Sequence, residues 1–277
     1  MMRTGGRVAD PETGSPLAVA LHERSRKAVD LVGTALDCGN ARLAFQPVVA
    51  AVGNGRAAFH EGLIRMIDPR GRTIPAGDFM NKVEDLELGR LIDCRALSLG
   101  LKVLKKNPGI RLAINMSARS IGYPQWMAIL RRHVRSHPDA VERLILEITE
   151  SSAMMMPELV IRFMAEQQQN GITFALDDFG AGYTAFRHLR DFSFDILKID
   201  GQFVRGIGDN ADNQVLVSAL LSIAQHFDML TVAESVETEA EADWLVRAGA
   251  DCLQGYLYGA PTMRPIWPDR ANIAASA

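Results

Sequence analysis

From residue 57 onward, seven short apolar runs alternate with longer stretches of helical periodicity, and this alternation limits the possible folds more than any other feature of the sequence. The runs cover residues 57–64, 111–115, 143–148, 172–176, 194–199, 229–233 and 251–253. They are brief and mostly apolar, and residues 172–176 read as a strand buried on both faces. Strand–helix pairs in series bury a parallel sheet beneath helices. A chain of 277 residues with 48% hydrophobic content has the length and the apolar surface to close that sheet into one barrel. An open doubly wound sheet is the competitor, but no glycine-rich dinucleotide fingerprint follows any of the runs.

The region before residue 57 adds a hairpin. Residues 43–49 (LAFQPVV) read as a strand, and the turn at Gly53 to Gly55 returns the chain antiparallel into the next run. Pro47 inside that strand predicts an edge or irregular position. Upstream, Leu17, Leu21, Ala28, Val32 and Leu36 recur at helical spacing, so residues 16–40 predict one or two lead-in helices. Helices are also predicted over 76–84, 87–106, 123–136, 157–170, 213–227 and 237–248, with another starting near Thr184. Residues 1–15 and 269–277 read as disordered tails around a single domain spanning 16–268.

Charge and cysteine usage narrow the partners. The 30 basic and 33 acidic residues nearly cancel and form no basic stripe, which argues against duplex DNA or RNA. Cys38, Cys94 and Cys252 are odd in number and lack metal-ligand spacing, as expected of a reducing compartment. No apolar run approaches the roughly 18 residues of a membrane span, and the N-terminus lacks the charged-then-apolar order of a signal peptide. A cytoplasmic protein without direct membrane insertion is the expectation.

The chemistry is concentrated where strands end. Residues 172–184, ITFALDDFGAGYT, place Asp177 and Asp178 side by side before a glycine-rich turn. A helix N-cap explains one aspartate easily and two with difficulty, which leaves metal binding and solvent separation both open for this stretch alone. The other strand ends contribute Glu61, Asn115, Glu147, Lys198 with Asp200, Glu234 and Gln254. In a parallel barrel these ends share one face, and burial alone would favour apolar residues at most of them. Their donors are oxygens without His or Cys, a set suited to Mg²⁺ or Mn²⁺. Asp177 and Asp178 could serve two ions about 4 Å apart, flanking the oxygens of a phosphoryl displacement. Lys198 could orient the attacking water or neutralise developing charge, and Glu234 is a candidate general base.

Eight ordered segments between about Leu31 and Pro261 carry a family resemblance. Glu61-Gly62-Leu63 followed by Arg65 resembles the EAL signature of bacterial cyclic-di-GMP phosphodiesterases. FQPVV at 45–49, Asn115-Met116-Ser117, Glu147 to Glu150 (EITE), DDFGAGY at 177–183, Lys198-Ile199-Asp200, AESVE at 233–237 and Gln254-Gly255-Tyr256 are similar to that family's further motifs in order. The resemblance implies a TIM-like (βα)8 barrel with an antiparallel first strand, and hydrolysis of cyclic-di-GMP to linear pGpG. It implies two Mg²⁺ or Mn²⁺ ions held by Glu61, Asn115, Glu147, Asp177 and Asp178, with Lys198 and Glu234 as the catalytic pair. Leu63 and Arg65 match substrate contacts. Gln46, Asp200, Glu237 and Gln254 match positions lining the same pocket, and Glu150 matches the residue that braces the DDFG loop.

Three residues depart from the family motifs: Gly62 for Ala, Ala181 for Thr and Ser235 for Gly. None removes a ligand. Gly62 adds backbone freedom and Ala181 lacks a bracing hydroxyl, so modest activity is expected. The rival reading is a cyclic-di-GMP receptor that binds without cutting. Receptors of this family usually lose metal or base positions, and here all are kept.

Family members often pair near the DDFG loop, which suggests a homodimer built on residues 184–190 with Phe186, Leu189 and Phe192 supplying apolar area, although in a barrel that face could equally pack on the neighbouring strands. Three further features read as structural. Met154 to Met156 fill gaps at the start of a helix. His60 points away from Glu61 across its strand, and Arg131, Arg132 and His133 form a solvated helix face.

Overall fold

The computed structural model of the chain describes residues 15–53, 55–180 and 189–267. The expected tails, apart from Ser15, and residues 184–188 of the helix expected from Thr184 lie outside these residues. A single helix, α1 (Pro16–Asp37), leads into the hairpin of β1 (Ala41–Ala50) and β2 (Ala57–Ile67). After β3 (Thr73–Pro75) and the short α2 (Met80–Val83) come α3 (Glu87–Lys106) and β4 (Leu112–Asn115). The order continues with α4 (Pro124–Ser136), α5 (Pro138–Val141), β5 (Leu144–Thr149), α6 (Glu150–Met155), α7 (Pro157–Gln168) and β6 (Thr173–Phe179). It ends with β7 (Ile196–Ile199), α8 (Gly201–Val204), α9 (Ala211–His226), β8 (Leu230–Ala233), α10 (Glu239–Ala248) and β9 (Cys252–Gln254).

Eight strands close into a barrel. β2 and β4 through β9 pair in parallel, while β1 runs antiparallel to both neighbours, β2 and β9. β3 was too short and too rich in proline to read as a strand, and it adds to β2 at Arg65–Ile67 outside the ring. Of the two alternatives for Pro47, the irregular one holds and the edge needs correction. β1 is not an edge, because it is bonded on both sides. Proline is accommodated because the β9 ladder begins only at Val48, and the β2 register shifts between Val48 and Val49.

The pleat sorts side chains into two cores. Val48, Phe59, Ala113, Ile145, Ala175, Ile196, Val232 and Cys252, one from each barrel strand, pack together as the barrel's interior plug. The outward residues join the helices in the larger core, which contains Trp126, Phe163 and Phe174 in edge-to-face contact. Leu189 and Phe192 belong to this core and are 3% and 7% exposed. They therefore do not supply the dimer surface suggested by the sequence, since their apolar faces are already covered. Phe186 lies outside the described residues. On the outside of the hairpin, Trp267 packs edge-on against both Phe45 and His60 at 5.0 Å, so His60 does face away from Glu61.

Gly62 has a packing role. A Cβ there would lie 2.7 Å from Ile114 Cδ1, and the same Ile114 atom lies 2.8 Å from where a Gly100 Cβ would be. Ile114 thus occupies the space between two glycines, one on β2 and one on α3. Gly62→Ala should overpack this contact and destabilise the fold by about 1–3 kcal/mol. Adding Ile114→Val should recover most of the loss, as read by urea denaturation of the single and double variants.

Candidate functional site

Two residues beyond each member of the apolar plug, along the direction of the parallel strands, every barrel strand presents a polar side chain. β1 reaches the same level by running the other way. The series is Gln46, Glu61, Asn115, Glu147, Asp177, Lys198, Glu234 and Gln254. The period-2 pleat makes this layer unavoidable once the plug faces inward. Gln46, Glu61, Glu147, Asp177, Lys198 and Gln254 are all buried.

Lys198 lies at the centre of the layer. Its Nζ stands 2.7 Å from Glu234 Oε1, 2.8 Å from Asp177 Oδ1, 3.2 Å from Glu147 Oε2 and 3.5 Å from Glu61 Oε2. Burial alone would lower the lysine pKa, but the carboxylates, Asp177 first, hold it well above its ordinary value. Amides complete the ring. Asn115 Nδ2 donates to Glu61 Oε1 at 2.8 Å, and Gln254 Nε2 donates to Glu61 Oε2 at 2.7 Å. Gln46 Nε2 donates to the Gly259 carbonyl at 3.1 Å. Burial opposes ionisation of Glu61, but Lys198 and these amide donors outweigh it and keep its pKa below the usual range.

The remaining carboxylates lack comparable compensation. Glu147 is driven well above its ordinary pKa by burial and by Glu61. Glu234 rises from 4.5 to about 8, chiefly through burial. Asp178 rises to about 6 through burial and the neighbouring Asp177. Carboxylate oxygens of Asp177, Asp178 and Glu234 lie within 4.8 Å of one another, so Glu234 joins the acidic cluster besides meeting Lys198.

Glu147 Oε1, Asp177 Oδ1 and Gln254 Oε1 are buried without a hydrogen-bond donor among the described residues. The 2.8 Å approach of Lys198 to Asp177 Oδ1 is a charge contact without hydrogen-bond alignment. Under-satisfied oxygens at this density suit a hard divalent cation.

The outer contacts set the rim. By alternation, Leu63 and Arg65 continue the inward face of β2 above Glu61. Arg65 donates to the Ile64 carbonyl at 2.9 Å, and Glu61 is a negative partner near its guanidinium. Asp200 caps α8 by accepting from the Gln202 N–H at 2.6 Å. Glu237 is half-exposed, with Arg205 Nε 3.9 Å away. The Gly180 N–H donates to Glu150 Oε2 at 3.2 Å, tying the turn after the aspartate pair to α6. Asp178 itself adopts φ +54, a left-handed conformation uncommon outside glycine and asparagine.

Beside the layer, a cavity of about 510 Å³ opens at Glu61, Asn115 and Asp177 and extends past Leu63, Met80 and Ile92. Sequence reasoning missed its wall. Asp93 on α3 accepts from the Ser117 N–H at 2.9 Å and the Ser120 hydroxyl at 2.6 Å, and so fixes the turn that follows Asn115. Ser152 adds a second tie by accepting from the Ala118 N–H at 2.8 Å. The available signal was a carboxylate on the buried stripe of α3, among Gly89, Ile92, Ala96 and Leu97. At the mouth, Arg119 pairs with Asp85 and reaches Met155 Sδ at 3.6 Å. Met154 and Met156 pack against the core as expected of gap-fillers, whereas Met155 is half-exposed and lines the cavity.

The raised pKa of Glu234 has a testable sign. Between pH 4.5 and about 8 the folded protein retains a proton that the unfolded chain has released, so stability falls as pH rises through this window. Metal-free protein should therefore melt at a lower temperature at pH 8 than at pH 5.5, and Glu234→Gln should flatten the profile. Mn²⁺ should raise the melting temperature more at pH 8. Calorimetry at both pH values checks all three outcomes.

Comparison with known proteins agrees with this geometry. The EAL domain family matches residues 32–261. Cyclic di-GMP phosphodiesterase PdeF of Escherichia coli K12 is 30% identical over 247 residues, which cover 86% of this chain and 33% of that protein. The probable cyclic di-GMP phosphodiesterase PdeN of the same organism is 33% identical over 227 residues, 79% of this chain and 43% of PdeN. The chain thus spans about a third to two-fifths of the length of these relatives. Among solved structures, the Pseudomonas aeruginosa FimX EAL domain bound to c-di-GMP superposes with TM-score 0.78 at 23% identity, covering 87% of this chain and 98% of that one. The PaMucR phosphodiesterase in complex with c-di-GMP gives TM-score 0.74 at 28% identity, covering 85% and 97%. With the family pattern matched along most of its length and every barrel strand contributing to one polar layer, the chain belongs to the EAL domain family.

Proposed function

We propose that the protein hydrolyses one phosphodiester of cyclic-di-GMP to give linear pGpG, using two Mg²⁺ or Mn²⁺ ions. The observation that carries this reading is the polar layer itself, four carboxylates and three amides around a single lysine at the open end of a closed barrel, with Asp178 beside it. Its relatives named as cyclic di-GMP phosphodiesterases support the substrate.

Glu61, Asn115, Glu147 and Asp177 would hold one ion, and Asp177, Asp178 and Glu234 face the position of a second. The bound ions supply Lewis-acid stabilisation of phosphate charge and lower the pKa of water. The chain does the rest. Lys198, fixed by four carboxylates, places a permanent positive charge beside the scissile phosphate and orients the attacking water. Glu234, in its ionised form, accepts the proton as the water oxygen bonds to phosphorus. The bond from phosphorus to the ribose 3′ oxygen breaks, and that oxygen takes a proton from solvent to leave as the free hydroxyl. Arg65 at the rim pairs with a phosphate. Leu63, Gln46, Asp200, Glu237 and Gln254 line the substrate's path, and Glu150 steadies the turn behind Asp178.

Turnover measured with the linear product resolved tests the proposal. Chelator should abolish hydrolysis, and Ca²⁺ should inhibit by filling the site with looser coordination. Glu234→Gln and Lys198→Ala should lower kcat by at least about 100-fold while affinity stays within about tenfold. Arg65→Ala should act mainly on KM. Full turnover in excess chelator contradicts the metal reading, and binding without turnover by the parent protein favours a receptor.

A further inference from the structure

Ser235 follows Glu234 directly and adopts φ +57, in the left-handed region, where the family motif carries glycine. A side chain with a Cβ is strained there, and such strain persists only where the surroundings fix it. Two features do so. The serine side chain occupies a hollow that exists because residue 201 is glycine: a Cβ at Gly201 would lie 2.3 Å from Ser235 Oγ. On the open side, Arg205 Nη2 donates to Ser235 Oγ at 3.1 Å.

Gly201 and Arg205 both belong to the turn of chain that follows β7, the strand of Lys198. The hydroxyl therefore links the segment after Glu234 to the segment after Lys198, the two groups paired at 2.7 Å in the polar layer. The backbone on either side is pinned as well. The Glu234 N–H donates to the Ile199 carbonyl at 3.1 Å and the Val236 N–H to the Gln254 carbonyl at 3.0 Å. Ser235 is the residue between these bonds whose conformation is least favourable by itself.

We propose that Ser235 and Arg205 form a latch that holds Glu234 against Lys198, so that Ser235 is a positioning residue for the reaction. The latch trades a strained backbone for a fixed carboxylate. The inference rests on the hydrolase reading for its kinetic consequence but not for its structural one.

The test compares Ser235→Ala, which keeps the strain and loses the hydroxyl, with Ser235→Gly, which loses both. Both should lower kcat about three- to tenfold with KM within about twofold. Ser235→Gly should nevertheless melt at or above the parental temperature, a divergence of stability from rate that a merely structural residue would not show. Combining Ser235→Ala with Arg205→Gln should lower kcat no further than the more damaging single change, because one hydrogen bond is removed in either case. Hydrogen exchange at the Glu234 and Val236 amides should quicken in both serine variants, and this readout needs neither substrate nor metal. Unchanged amide protection, or parental kcat in Ser235→Ala, overturns the latch. Absence of turnover in the parent protein overturns the hydrolase reading and leaves the exchange result to decide the latch.

Discussion

The two-residue period of the barrel strands is the constraint on which the rest of this structure depends. Eight inward positions are apolar at one level, and eight are polar at the next. Because the ring is closed, the two levels cannot slide independently, and a one-residue slip in any strand would send its polar group into the helix-packed core. β1 keeps to the rule although its direction is reversed. Gln46 lies two residues before Val48, where every other strand has its polar residue two after. Burial of the plug thereby positions the chemistry.

That arrangement concentrates negative charge. Glu61, Glu147, Asp177 and Glu234 surround a single ammonium, and several of their oxygens have no donor among the described residues. Burial first, with repulsion added to it, raises the pKa values of Glu147, Glu234 and Asp178, while Lys198 is held protonated. The lysine keeps the site compact, and in the proposed function divalent cations would complete its neutralisation. Asp93 and Ser152 behind Asn115, Glu150 behind Gly180, and Ser235 beside Glu234 all fix backbone next to this charge cluster. Gly62, which departs from the family signature, serves packing: it admits Ile114 where a Cβ would crowd it.

Seven of the eight members of the polar layer were legible in the sequence because each interrupts an apolar run towards its C-terminal end, whereas Gln46, inside the reversed first strand, was placed only by the family resemblance. The reversed first strand was legible because Gly53 to Gly55 leaves too little chain for a crossover. Other features were not. β3 is three residues long, below the length at which alternation carries information. Pro47 marked an irregular strand correctly, but whether that strand was also an edge depended on ladder register, which is invisible in sequence. Leu189 and Phe192 were offered as partner surface because an apolar side chain looks the same whether it packs inside its own barrel or against another chain. Asp93 went unnoticed since one carboxylate in a 20-residue helix is ordinary until the helix's buried face is known.

The central claim is that the polar layer is a cation site in which Lys198 supplies only part of the compensating charge. Anomalous scattering from crystals of this chain equilibrated with Mn²⁺ tests it most directly. The account predicts two manganese peaks about 4 Å apart, one among Glu61, Asn115, Glu147 and Asp177 and the other among Asp177, Asp178 and Glu234. A polar layer free of manganese at saturating concentration, with Lys198 still spanning all four carboxylates, would contradict it.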